Sequence, residues 1–410
     1  MHTKRSTCRG CGASDLYKFL ELGQTPLANS FLRDSSEFAD EVSFPLDVYS
    51  CPICSLVQLV DVIDPGVLFR DYIYVSGTSE TITTHFLEYT RSVIDRLAVT
   101  SDDLVVDIAS NDGTLLKCFQ AEGVNVVGVE PAVNIAAVAI QSGVETLNAF
   151  FDMKVAVEIC ETRGRAKVVT ANNVVAHVDE PREFLTACRH LLANDGRLII
   201  EVPYLDHLIE GLEYDTIYHE HLSYFSVTSL ARLFFESGLA IEKIDQVAIH
   251  GGSLRVWGRS RSELEDHDES VKRLIESESA NGLTSSARLD EFSNRVSTHR
   301  EQLNDALNSL TGRATVAGYA APAKGNTLLN YCQIDASRLP FIFDKNPWKV
   351  GRFTPGMHIP IRDTGEIEEV RPDYLLILAW NFAEEIIRQQ DAFRRHGGQF
   401  IIPIPEVKIV

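Results

Sequence analysis

The sequence predicts an α/β protein in three lobes: a small metal-binding lobe, a central Rossmann-like domain, and a second Rossmann-like domain reached through a helical linker. Three observations carry this. Two Cys-x-x-Cys pairs, Cys8/Cys11 and Cys51/Cys54, open the chain; strand–turn–helix units recur between residues 104 and 203; and a second such series starts at Thr315 after a charged helical stretch. Alternating strands and helices build doubly wound parallel sheets, and 410 residues are enough for two or three domains. The expected divisions are 1–70, 71–260, 261–312 and 313–410.

In the first lobe, the spacing of each cysteine pair lets a tight knuckle aim two thiolates at one metal ion. Four thiolates suit tetrahedral zinc. All four positions would then be filled by protein, so the metal is structural. Disulfides or a redox site are the alternatives, and nothing in the sequence points to an oxidising compartment. Cys118, Cys160, Cys188 and Cys332 are scattered through apolar or helical contexts and read as small buried hydrophobes. The run from Leu22 to Phe31 is part turn and part apolar, which fits packing for a metal-held lobe. After the second knuckle come a strand near Leu56–Val60 and a stretch, Asp71 to Ser79, that carries Tyr72, Tyr74 and several hydroxyls and reads as a loop. A helix from about Thr81 to Leu97 leads into the central domain.

The central domain is built around Val105 to Thr114, a buried strand entering a polar turn and a helix. Gly113 falls where the backbone passes close to a ligand or takes a positive φ. The next strand ends at Glu130-Pro131, 17 residues after Gly113, about where a βαβ unit places an acid for a ribose diol. The three-glycine pyrophosphate fingerprint is absent; Asp107 and Asn111 stand where a dinucleotide site needs bare backbone. The loop resembles the cofactor loop of class I S-adenosylmethionine methyltransferases. Further strands end at Asn172-Asn173 and at Pro203, and ligands in such sheets sit at strand carboxyl ends, which brings Asn172, Asn173 and His177 near the crevice.

Tyr218-His219-Glu220-His221 follows. An imidazole beside a carboxylate suits acid–base chemistry near neutral pH; a metal site would need a third ligand that the sequence does not offer. In an extended segment His219 and His221 would share one side. His250 to Trp257, with Ser253, reads as a late strand. From Ser262 to Leu310, apolar residues at helical spacing predict one or two amphipathic linker helices. The last domain opens with the strand Thr315–Tyr319, then the small-residue turn Ala320 to Thr327. That turn leaves backbone N–H groups outward for an anion, with Lys324 adding charge and Asn326 beside it.

A net charge of −20 argues against nucleic acid and against an anionic membrane surface. No apolar run follows the N-terminus, so no signal peptide is expected, and the longest apolar run is too short to span a bilayer. The expectation is a cytoplasmic protein acting as a monomer.

Taken together, the two knuckles around Pro26 to Asn29, Asp107 to Gly113, Asn172-Asn173 with His177, Tyr218 to His221 and Gly318 to Asn326 resemble the sugar C-methyltransferases that build branched deoxysugars for antibiotics. The resemblance covers nearly the whole chain. It implies an N-terminal zinc-binding domain on Cys8, Cys11, Cys51 and Cys54, and a central S-adenosylmethionine domain with Asp107, Ala109, Asn111, Gly113, Glu130, Pro131, Asn172 and Asn173 at the cofactor. It also implies a C-terminal Rossmann-like domain that lost cofactor binding and helps hold a dTDP-linked keto-deoxysugar, for which Asn29, Tyr74, Ser253, Lys324 and Asn326 are the substrate-side residues. The base would be His221, with Tyr218, Glu220, His177 and Tyr72 nearby, and attack is expected at C-3 of the 4-keto sugar. The alternatives are attack at C-5, a nicotinamide-dependent sugar dehydrogenase or epimerase, and a non-catalytic zinc-scaffolded binding module.

Overall fold

The computed structural model describes residues 2–70, 80–247, 252–261 and 267–410. Tyr72 and Tyr74 lie outside the described residues.

The knuckle turns close because Gly12 (φ 77°) and Ser55 (φ 61°) take left-handed conformations that bend the chain back on itself. Beyond them, the antiparallel strands Tyr17–Pro26, Ser43–Ser50 and Val57–Leu59 form a sheet. Its fourth strand is Ser223–Tyr224, borrowed from the central part of the chain and paired with Val57 and Gln58.

The central sheet has seven strands among the described residues, in the order Leu239–Val247, Ser253–Ser260, Leu192–Pro203, Ala166–Asn172, Leu104–Ile108, Asn125–Val129, Thr146–Leu147. Six run in one direction, and Ser253–Ser260, antiparallel to both its neighbours Leu192–Pro203 and Leu239–Val247, is the one reversed strand, which departs from the all-parallel expectation. The reason is the connection: residues 248–252 are too few for a crossover, and only an antiparallel neighbour can be reached that way. Side chains alternate between faces. Val105 and Val168 pack with Tyr89, Leu115 and Phe119 on one face, while Val106 and Val169 pack with Ile159, Leu185 and Phe234 on the other.

Two linker helices, Glu269–Ala280 and Ser286–Leu310, follow as expected. The second buries Leu289, Phe292, Val296, Leu303 and Leu307 at helical spacing. The last sheet runs Ile361–Asp363, Ile342–Asp344, Val316–Tyr319, Tyr374–Ile377, Gln399–Ile402, Lys408–Ile409, parallel except for its final strand. The chain order reverses beside Val316–Tyr319, so that strand's carboxyl end is the crevice where such folds take ligands. Of the scattered cysteines, Cys188 and Cys332 are buried; Cys118 and Cys160 are only half-buried. Among the described residues no helix is long and apolar enough to cross a membrane.

Candidate active site

The four knuckle thiols converge, with all ligand atoms within 4.8 Å of one another. Cys8 and Cys54 Sγ lie 3.5 Å apart, and Cys11 and Cys51 Sγ 3.6 Å apart. A tetrahedron with metal–sulfur bonds of about 2.3 Å has edges of roughly 3.8 Å, so the set fits zinc. Gln58 Nε2 donates to Cys8 Sγ (3.1 Å) and its Oε1 accepts from Arg9 N (3.0 Å), a shell that orients the ligands. The hydrogen bond from Cys54 favours the Cys8 thiolate.

The cofactor loop is bent by Ala109 (φ 54°), Asn111 (φ 52°) and Gly113 (φ 77°), three left-handed residues in five. A Cβ on Gly113 would meet Val144 at 2.9 Å, so both its φ and its space require glycine. Glu130 spans the crevice rim, accepting from Asn111 N (2.9 Å) and Ala132 N (2.8 Å). Asp107 Oδ1 accepts from the Thr170 hydroxyl at 2.6 Å. Both carboxylates are buried, and among the described residues neither forms an ion pair. Burial raises the Asp107 pKa to about 7 and raises that of Glu130. Two buried acceptors without a protein cation fit a ligand that brings its own donors, as the ribose hydroxyls and ammonium of S-adenosylmethionine do. Pro131 lies at the same rim, its carbonyl accepting from Asn148. Asn172 closes its strand at the sheet's carboxyl end, next to Asn173 (φ 55°).

Beside this crevice, residues 218–221 form a turn, not the extended segment expected, with His221 N donating to Tyr218 O at 2.8 Å. The turn parts the two histidines. His219 is buried toward the first lobe, its Nε2 3.1 Å from Pro45 O and its ring against Phe44. His221 faces Tyr218, with Nε2 2.9 Å from the phenol oxygen. Its Nδ1 lies 2.8 Å from Thr216 O, which assigns the ring proton to Nδ1 and the lone pair to Nε2. The His177 ring packs edge-on to His221 at 4.8 Å and donates from Nδ1 to Glu220 O at 2.7 Å. Burial depresses the His177 pKa to about 4, so the ring is neutral near pH 7. The Glu220 carboxylate accepts from Asn29 Nδ2 at 2.7 Å.

A cleft of about 450 Å³ opens here, lined by Asn29 and Phe31 of the first lobe, Leu68 and Glu220, and Trp348 and Arg352 of the last lobe. Asn326 donates to Ala28 O at 2.7 Å, joining the last lobe to the first. Lys324 Nζ stands 3.9 Å from the centre of the Trp380 ring, facing buried Asp215 and Glu213. Ser253 is fully buried in the sheet opposite Pro203. Sequence reasoning passed over Arg9, Gln58, Trp348 and Arg352. Arg9 lies inside a knuckle, where only the cysteines carry a signal, and Trp348 follows Asn346-Pro347, a plain turn signature.

Three family models match in succession: a zinc binding domain over residues 8–69, a methyltransferase domain over 84–244 and a C-methyltransferase C-terminal domain over 248–405. The fold and site therefore define an S-adenosylmethionine-dependent methyltransferase with a four-cysteine zinc site. Over 404 residues the chain is 38% identical to the C-methyltransferase NovU of Streptomyces niveus, across 98% of this chain and 96% of that protein. The chain belongs to this C-methyltransferase family. Solved structures similar to it include the 1,6-didemethyltoxoflavin-N1-methyltransferase of Burkholderia thailandensis (18% identity, 43% of this chain and 78% of that one, TM-score 0.33). Another is the magnesium protoporphyrin IX methyltransferase of Synechocystis (16% identity, 49% and 99%, TM-score 0.35). Membership of the C-methyltransferase family sets aside the nicotinamide-dependent and non-catalytic alternatives.

Proposed function

We propose that the protein C-methylates a dTDP-linked 4-keto-6-deoxyhexose at C-3, with His221 removing the proton beside the ketone. The observation that carries this is the Tyr218–His221 pair at 2.9 Å, with His221 Nδ1 committed to Thr216 O and Nε2 left as the acceptor. A sugar carbon becomes nucleophilic only as an enolate, which requires a positioned base and donors for the developing oxyanion. His221 Nε2 takes the proton. The Tyr218 hydroxyl, which satisfies Nε2 at rest, donates to the enolate oxygen once substrate is seated. Neutral His177 and the Asn29-bound Glu220 hold the pair in place. Bound S-adenosylmethionine supplies an electrophilic sulfonium methyl; Asp107, Ala109, Asn111, Gly113, Glu130, Pro131, Asn172 and Asn173 hold it at the sheet's carboxyl end. Tyr72 joins the catalytic group in this reading, and Asn29 and Tyr74 stand on the substrate side, backed by Ser253 in the sheet, by Lys324 held against Asp215 and Glu213, and by Asn326 bonded to Ala28 O.

His221→Asn tests it. Loss of a general base costs about 10²–10⁴ in rate, with S-adenosylhomocysteine affinity intact. The variant is also expected to stop exchange of the substrate α-proton with deuterated water. Exchange at the wild-type rate would move the base elsewhere. The NMR position of the new methyl on the product decides C-3 against C-5.

A further inference from the structure

We infer that the diphosphate and base of the substrate are gripped by the turn at residues 346–352, through the Arg352 guanidinium and the Trp348 indole. This rests on the reading of the substrate as a nucleotide-linked sugar. With a net charge of −20, the protein must meet a diphosphate with locally placed cations. The neighbouring lysines are already engaged. Lys349 Nζ donates to Ala321 O at 2.8 Å and stands over the Phe31 ring. Lys324 faces Asp215 and Glu213 and lies on Trp380, whose Nε1 donates to Asp215 at 2.7 Å. Arg352 lines the cleft and, among the described residues, forms no ion pair or side-chain hydrogen bond. A guanidinium binds phosphate oxygens bidentately, as an ammonium cannot.

The turn is held ready. Asn346 N donates to Asp344 Oδ1 (2.7 Å), Trp348 N donates to Asn346 Oδ1 (2.9 Å), and Arg352 N donates to Lys349 O (3.0 Å). Trp348 is left 41% exposed at the rim of the cleft, an open π-face for a pyrimidine. Glu220 lies in the same cleft. A nucleotide held by Trp348 and Arg352 would therefore direct its sugar toward Glu220 and the His221 turn. The volume of about 450 Å³ lies within the roughly 300–1,000 Å³ typical of ligand sites.

The test is calorimetric titration of the zinc-loaded full chain with dTDP, and separately with S-adenosylhomocysteine. Arg352→Gln is expected to raise the Kd for dTDP by about 10-fold or more, and Trp348→Ala by about 5-fold or more. Both variants should keep the wild-type Kd for S-adenosylhomocysteine, which reports an intact fold. Arg352→Gln binding dTDP as wild type does would overturn the inference and leave the nucleotide-sugar reading standing. Wild-type protein that takes up no dTDP at millimolar concentration would overturn both.

Discussion

Asp107 shows how one residue ties stability to the cofactor site. Its carboxyl is raised to about 7, chiefly by burial, with Glu130 adding and the Thr170 hydroxyl partly offsetting. An unfolded Asp titrates near about 3.9. The folded state therefore binds more protons than the unfolded state between those values, and stability is lost as pH rises from about 4 to about 7. Asp107→Asn removes that cost. It is expected to raise the melting temperature more at pH 8 than at pH 5, in scans of the cofactor-free protein. Since Asp107 also accepts from the bound cofactor in this reading, the same variant should bind S-adenosylhomocysteine more weakly.

Among the elements, the zinc knuckles do more than close a small lobe. Arg9, between the two ligands of the first knuckle, is 2% exposed, and its guanidinium donates to Leu222 O and, at 2.9 Å, to Leu59 O. Leu59 N also donates to Leu222 O at 3.0 Å, and Ser223–Tyr224 completes the lobe's sheet. The residue after His221 is thus fixed by the metal-held lobe on one side, and by Leu222 N to Ala176 O at 2.7 Å on the other. About one zinc per chain is expected, and chelation should lower both the melting temperature and turnover, since removing the metal frees the turn that carries His221, the proposed base. Arg9→Met is expected to lower kcat about tenfold or more, the scale of losing a charge-assisted hydrogen bond, with zinc content unchanged. A variant that kept full kcat would confine the lobe to folding alone.

For the whole molecule, the cleft exists only where the lobes meet. Asn29 binds Glu220 and Asn326 binds Ala28, so the first lobe is clasped between the central and last lobes. Asn29→Ala should lower kcat about tenfold by removing its hydrogen bond to the buried Glu220 carboxylate. S-adenosylhomocysteine binding should not change. Equal kcat in a steady-state assay would show that Glu220 needs no such support.

The sequence alone determined the elements. The Cys-x-x-Cys spacing, the strand–turn–helix units around Gly113 and Ala320 and the apolar stripe from Leu289 to Leu307 are local signals. They follow from backbone geometry and burial within a few turns of chain, and the structure keeps them. The cysteine cluster and the left-handed turn at 109–113 were legible because metal ligation and a positive φ each demand particular residues at short spacing. What only tertiary structure decided are the relations between distant segments. The turn at 218–221 sends His219 to Pro45 and His221 to Tyr218, which alternation could not foresee because it assumes an extended chain. The reversed strand of the central sheet, the reach of Arg9 to Leu222 and the placing of Arg352 in one cleft with Asn29 join residues tens to hundreds of positions apart. Such contacts are selected by packing of whole faces, and no local pattern in the chain records them.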